Sequence, residues 1–152
     1  MRALAILLAL LPGAASAQVL APYVIEHGEI KSSLTGAPGD PVRGRAIVGE
    51  RQKGLCLLCH SGPFPQERFQ GDLAPTLDGV GARMSEGEIR LRMVDGAKVN
   101  PQTIMPAYYR VDGLTRVAPA MRGKPVLEAQ EIEDVVAYLL TLKDGGAPGR
   151  MK

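Results

Sequence analysis

The pentapeptide Cys56-Leu57-Leu58-Cys59-His60 constrains this chain more than any other stretch. Two cysteines separated by two residues, with a histidine directly after the second, form the attachment signature of a c-type haem. The spacing has a chemical reason. Thiols so placed fall on one side of a helical turn and can add across the two vinyl groups of one porphyrin. The histidine that follows then lies beneath the iron and offers it an imidazole nitrogen. The same letters also admit a thioredoxin-like dithiol and half of a zinc site. Structural zinc takes four protein ligands, yet the chain has only two cysteines and two histidines, and His27 lies far upstream. A redox dithiol is expected among alternating strands and helices, a pattern missing here. Covalent haem is the reading these residues support. It uses both thiols and leaves none for a structural disulfide.

Haem attachment of this kind takes place outside the bacterial cytoplasm, and the N-terminus fits export. Met1-Arg2 is a short positive start, Leu4 to Leu11 an apolar core and Ala15-Ser16-Ala17 a small-residue cleavage site. Residues 1–17 therefore read as a signal peptide cleaved after Ala17, too short in its apolar part to span a bilayer. Leader and motif together predict a periplasmic protein with no membrane span. What remains is the size of one small domain. The formal charge of +2 moves one unit toward neutral when Arg2 is removed, which gives no basis for binding nucleic acid or an anionic membrane. Eighteen glycines and twelve prolines point to long loops, and two phenylalanines with no tryptophan leave a thin aromatic core. A buried macrocycle would offset both deficits.

Residues 18–39 read as an N-terminal arm outside the core, with a short extended piece at Tyr23-Val24-Ile25 and His27 on its surface. A second haem ligand is the remote alternative for His27. Asp40 is a good N-cap and Pro41 suits the first helical position, so a helix begins there. Ile47 and Val48 give it an apolar side, and it is expected to continue through Glu50, Arg51 and Gln52 toward the motif. Gly44 either admits a second helix closely or is merely tolerated. Ser61 to Pro65 must be loop. Within Leu73-Ala74-Pro75-Thr76-Leu77, Pro75 is placed to offer its carbonyl to the free ring N–H of His60, as metal-bound histidines require; the alternative is a plain turn residue. Ser85 and Glu88 form a capping box for a helix with Ile89, Leu91, Met93 and Val94 on its apolar side, ended by Asp95-Gly96. Arg83, Arg90 and Arg92 read as its solvated face, with haem propionates as the other option. A last helix spans about Ala129 to Leu142, with Ile132, Val135, Val136, Leu139 and Leu142 as a core stripe and Glu131, Glu133 and Asp134 at its acidic start. Gly145-Gly146 should stop it.

Iron held by one histidine needs a second axial group or an open position, and that choice separates electron transfer from catalysis. Met93 belongs to a helix face, Met84 and Met121 lack a rigid frame, and Met151 is in the tail. Met105 sits in a loop after a helix, stiffened by Pro106. Met105 ranks first, Met121 second and an open site last. No residue stands out as catalytic.

These features resemble class I cytochromes c, an all-α fold of helices and long loops around one covalent haem. Gly44 to Val48 is similar to that family's first helix, Leu73 to Leu77 to its proline loop, Met105-Pro106 to its ligand loop and Asp134 to Leu139 to its closing helix. Extra residues between Val48 and Cys56 depart from the pattern and put the contact of first and last helices in question. A more specific resemblance is to the SoxX family of the periplasmic sulfur-oxidation system, carried by Thr103 to Leu114, Val117 to Ala120, Arg122 to Pro125 and Ile132 to Leu142. It covers the chain from Asp40 onward and implies a cytochrome c domain over 40–152. It further implies a SoxA-like haem subunit as partner, with a carrier protein and a soluble cytochrome as further contacts. The complex links thiosulfate oxidatively to a carrier cysteine, an L-cysteine S-thiosulfotransferase activity. The resemblance assigns this chain the electron-accepting role, not catalysis on its own. Cys56 and Cys59 would carry the haem, and His60 and Met105 would ligate it. A free-standing periplasmic electron shuttle fits the ligand set equally well.

Overall fold

Asp40 starts the first helix as the sequence predicts. Its Oδ1 accepts from the N–H of Val42 at 2.7 Å and of Arg43 at 3.2 Å, satisfying donors that the first helical turn leaves open. The computed structural model describes residues 20–144; the signal peptide, Met151 and the Gly145-Gly146 stop lie outside them. Helix α1 spans Pro41–Gly49. It does not continue to Gln52 as expected. Glu50 turns to extended backbone, and the N–H groups of Lys53, Gly54 and Leu55 all return to the Glu50 carbonyl. The extra residues before the haem motif are absorbed by this turn, and α1 is not lengthened.

Further helices follow at Val80–Arg83 (α2), Glu86–Asp95 (α3) and Ala129–Thr141 (α4). Short 3-10 turns occupy Cys56–Leu58, Gly96–Lys98 and Pro119–Met121. The capping box of α3 forms as read, with Ser85 Oγ accepting from Glu88 N at 3.1 Å and Glu88 accepting from Ser85 N at 2.7 Å. Among the described residues the one extended pairing is an isolated bridge, Glu26 with Glu29, around a turn at His27-Gly28. Both turn residues have positive φ, and His27 is exposed.

Helix α4 is the hub on which α1, α2 and α3 pack. Its Ile132, Val135 and Val136 are almost wholly buried, beside Val48, Leu57, Leu91, Val94 and Leu127. The contact with α1 depends on Gly44. A Cβ there would run into the Asp134 carbonyl and the Tyr138 Cβ, so this glycine admits the partner helix. Gly44→Ala is expected to cost about 1–3 kcal/mol, as overpacking does, and to lower the thermal midpoint followed by circular dichroism. The doubt about the first and last helices is thereby resolved in favour of close contact.

Three features depart from the sequence reading. Arg90 is fully buried, neither solvated nor free for a propionate. Its guanidinium bonds both Glu133 carboxylate oxygens at 2.9–3.1 Å, the Ile30 carbonyl at 2.8 Å and Glu86. Burial alone would lower its pKa, but Glu133 and Glu86 outweigh that and hold it above the ordinary value. Second, Glu133 and Asp134 lie near the start of α4 as read, but both are buried, which the sequence does not indicate. Asp134 pairs with Arg43 at 2.6 Å and accepts from Asp40 N at 2.8 Å, binding α4 to the start of α1. Third, the arm joins the core. Ile30 and Leu34 are buried, Ile30 N donates to Gly87 O at 3.1 Å, and Leu34 N donates to Glu133 at 2.8 Å. The buried Arg90–Glu133 pair thus ties arm, α3 and α4 together.

Candidate haem-attachment site

The motif folds as one tight turn. Cys59 N and His60 N both bond to the Cys56 carbonyl, at 3.1 and 2.9 Å. This places Cys56, Cys59 and His60 on a common face, since residues three and four apart share one side of a helical turn. Leu55 enters the turn with left-handed backbone, φ 59°, a conformation that costs a bulky residue roughly 1–2 kcal/mol. It redirects the chain from the Glu50 turn into the motif. Leu57 points inward and is buried, whereas Leu58 is exposed.

The chain after His60 folds back along the motif. Ala74 N donates to Cys59 O at 3.0 Å and Leu77 N to Ser61 O at 2.8 Å. Gln70 closes the intervening loop by accepting from Gly62 N at 2.6 Å and donating to Phe64 O at 2.8 Å. Gly71 crosses directly over Leu58 and Cys59, where a Cβ would strike their backbone. This return brings the Pro75 carbonyl 2.6 Å from His60 Nδ1. A carbonyl can only accept, so Nδ1 carries the proton and Nε2 is left with its lone pair.

Met105 is half-buried against the core. Its loop is braced by Thr103 Oγ1, which accepts from Met105 N at 3.2 Å. Of the other methionines, Met93 is buried in the core and Met121 is exposed on the Pro119–Met121 turn. Tyr108, three residues beyond Met105, is buried, and its hydroxyl donates to Gly54 O at 2.7 Å. Nothing in the local sequence marks that contact, because its partner lies 54 residues earlier in the chain.

Both cysteines are unpaired. Burial pushes the Cys56 thiol up to about 11, against a smaller lowering by the Tyr108 hydroxyl. Burial and the neighbouring Cys56 also raise the Tyr108 phenol. A redox dithiol needs the opposite setting, an accessible thiol of lowered pKa. Among the described residues no three His, Cys, Asp or Glu side chains are gathered to hold a metal ion, so the donor set does not suit a zinc cage. It suits a covalently held porphyrin: two thiols on one face and an imidazole of fixed tautomer with Nε2 free.

The described residues set four α-helices around this turn, and the family model described as cytochrome c matches residues 42–143. The chain belongs to the cytochrome c family, whose cofactor is covalent haem c, and has the class I fold. Among solved structures it is similar to a chain of the crystal structure of SoxXA from P. pantotrophus. The two are 41% identical with a TM-score of 0.75, covering 80% of this chain and 95% of that one. No curated protein matches. No helix among the described residues is long and apolar enough to cross a membrane.

Proposed function

We propose that this chain is the electron-transfer haem subunit of a periplasmic sulfur-oxidation complex, pairing with a SoxA-like haem subunit. The observation that carries the reading is the likeness to SoxXA, at 41% identity over nearly the whole of the matched chain. The partner holds the sulfur chemistry, in which thiosulfate is joined to a carrier-protein cysteine. This subunit receives the electrons released and passes them to a soluble cytochrome.

One haem c, when bound, supplies a single iron that accepts and gives up one electron. Cys56 and Cys59 would hold it through thioethers. His60 donates Nδ1–H to Pro75 O, which fixes its ring and makes Nε2 the better donor to iron. Met105 would supply a thioether sulfur as the second ligand. A thioether favours reduced iron, so this pair sets a higher potential than two histidines would. The loops 61–65 and 108–109 would limit solvent access to it and so help set that potential. Met105→Ala is expected to abolish the methionine–iron charge-transfer band of the oxidised protein. The potential should fall by on the order of 0.1 V, within the roughly 0.8 V that axial ligands control; redox titration with visible spectroscopy reads both.

The function is tested by pull-down from periplasm, followed by thiosulfate-dependent haem reduction with and without the captured partner. Capture of a haem-containing partner and reduction only in its presence are expected. Reduction of the isolated chain by thiosulfate would contradict the division of labour. A solely monomeric species in sedimentation of native material would favour a free electron shuttle instead.

A further inference from the structure

Tyr108 makes bonds to three separate parts of the molecule. Its N–H donates to Met93 O at the end of α3 at 3.0 Å. Its carbonyl accepts from Val126 N and Leu127 N, at 2.9 and 3.1 Å, just ahead of α4. Its hydroxyl reaches Gly54 O at 2.7 Å, at the entrance to the attachment turn. The backbone bonds fix where the residue sits. The hydroxyl bond does something else: it joins the loop carrying Met105 to the turn carrying Cys56, Cys59 and His60.

We propose that Tyr108 is a positioning residue for the axial methionine, its hydroxyl clamping the Met105 loop to the haem-attachment turn through the Gly54 carbonyl. The inference rests on the His60/Met105 ligand assignment. The chemistry of attachment strengthens the argument. The free Cys56 thiol also donates to Gly54 O, at 3.3 Å. A thioether has no S–H, so once Cys56 is joined to haem that second donor is gone. Tyr108 then supplies the remaining side-chain donor to a carbonyl of a buried residue, which is costly to leave unpaired. Met105 lies three residues upstream with its own N–H held by Thr103 Oγ1, so the loop left between the two anchors is short.

The test uses ferric holoprotein and free imidazole, which competes with the methionine for iron. Loss of the methionine–iron charge-transfer band is followed against imidazole concentration. Tyr108→Phe keeps the ring and its burial and removes only the hydroxyl. One hydrogen bond of ordinary net strength corresponds to a midpoint about threefold to tenfold lower than wild type. Tyr109→Phe is the control, because Tyr109 is equally buried and its hydroxyl bonds instead to Ala21 N in the arm, at 2.9 Å. Its midpoint should match wild type. An unchanged midpoint in Tyr108→Phe, or an equal shift in Tyr109→Phe, would overturn the clamp while leaving the ligand assignment standing. Absence of the band from wild type would overturn the ligand assignment, and the clamp with it. Thermal unfolding of both variants, in the same buffer, separates a local effect from a general loss of stability.

Discussion

Cys56→Ala combined with Cys59→Ala is expected to yield a colourless chain that no longer melts cooperatively. The reason lies in how little else holds the middle of this molecule together. Between α1 and α2 the chain runs through a turn, one 3-10 element and the long return loop 61–77, with few regular backbone bonds. Its buried apolar anchors are Leu57, Phe64 and Leu77, together with the edge-on contact of Phe64 with Tyr138 at 5.9 Å. A small domain is stable by only about 5–15 kcal/mol. A ligand that binds the native state alone adds directly to that margin, and a covalent one cannot dissociate. Without it, helices α3 and α4 should persist while the haem-side loops lose fixed packing. Far-UV and near-UV circular dichroism with a hydrophobic dye distinguish this state from the native one. A sharp thermal transition at the wild-type temperature would show that the fold does not depend on the cofactor.

The second large effect is expected at Glu133. Glu133→Ala leaves buried Arg90 with the half-exposed Glu86 carboxylate and the Ile30 and Lys31 carbonyls but no buried counter-charge, and it removes the acceptor of Leu34 N. Breaking a buried ion pair from one side costs about 3–5 kcal/mol. The loss should appear as a lower urea midpoint of the holoprotein and as proteolytic release of the arm. Replacing both partners, Arg90→Met with Glu133→Leu, should recover much of it, because no charge is then left unpaired. A cost below about 1 kcal/mol for Glu133→Ala would mean that the pair is not the fastening between arm, α3 and α4.

The contrast between these two sites shows what a linear sequence can carry. The Asp40 cap, the Ser85–Glu88 capping box, the α4 stripe and the Cys56–His60 turn are all local patterns. Their physical cause spans at most a few residues, and each formed where read. The Pro75 carbonyl lies against His60 Nδ1, a contact the sequence suggests because an imidazole that binds metal commonly donates its other N–H to a backbone carbonyl. The burial of Arg90 and Glu133 escapes the sequence for the opposite reason. Each stands among polar residues at ordinary helical spacing, and only the meeting of α3 with α4 and the arm turns both inward. The glycines and prolines around Ile30 and Leu34 give the segment the composition of an arm outside the core and so mask their burial. The end of α1 at Gly49 was obscured because helix-compatible residues continue past it; the Glu50 carbonyl, gathering N–H groups from Lys53 to Leu55, decides the matter. The Tyr108 tie to Gly54 joins segments more than fifty residues apart, beyond any local pattern.

The central claim is a porphyrin bound through two sulfurs and ligated by His60. Intact mass of the purified protein, produced in a host able to mature such cytochromes and paired with its pyridine haemochrome spectrum, tests that claim most directly. The expected result is one species, heavier than the exported polypeptide by a single haem and with the spectrum of two saturated thioether links. A mass equal to the bare polypeptide, with no haemochrome absorption, would contradict it.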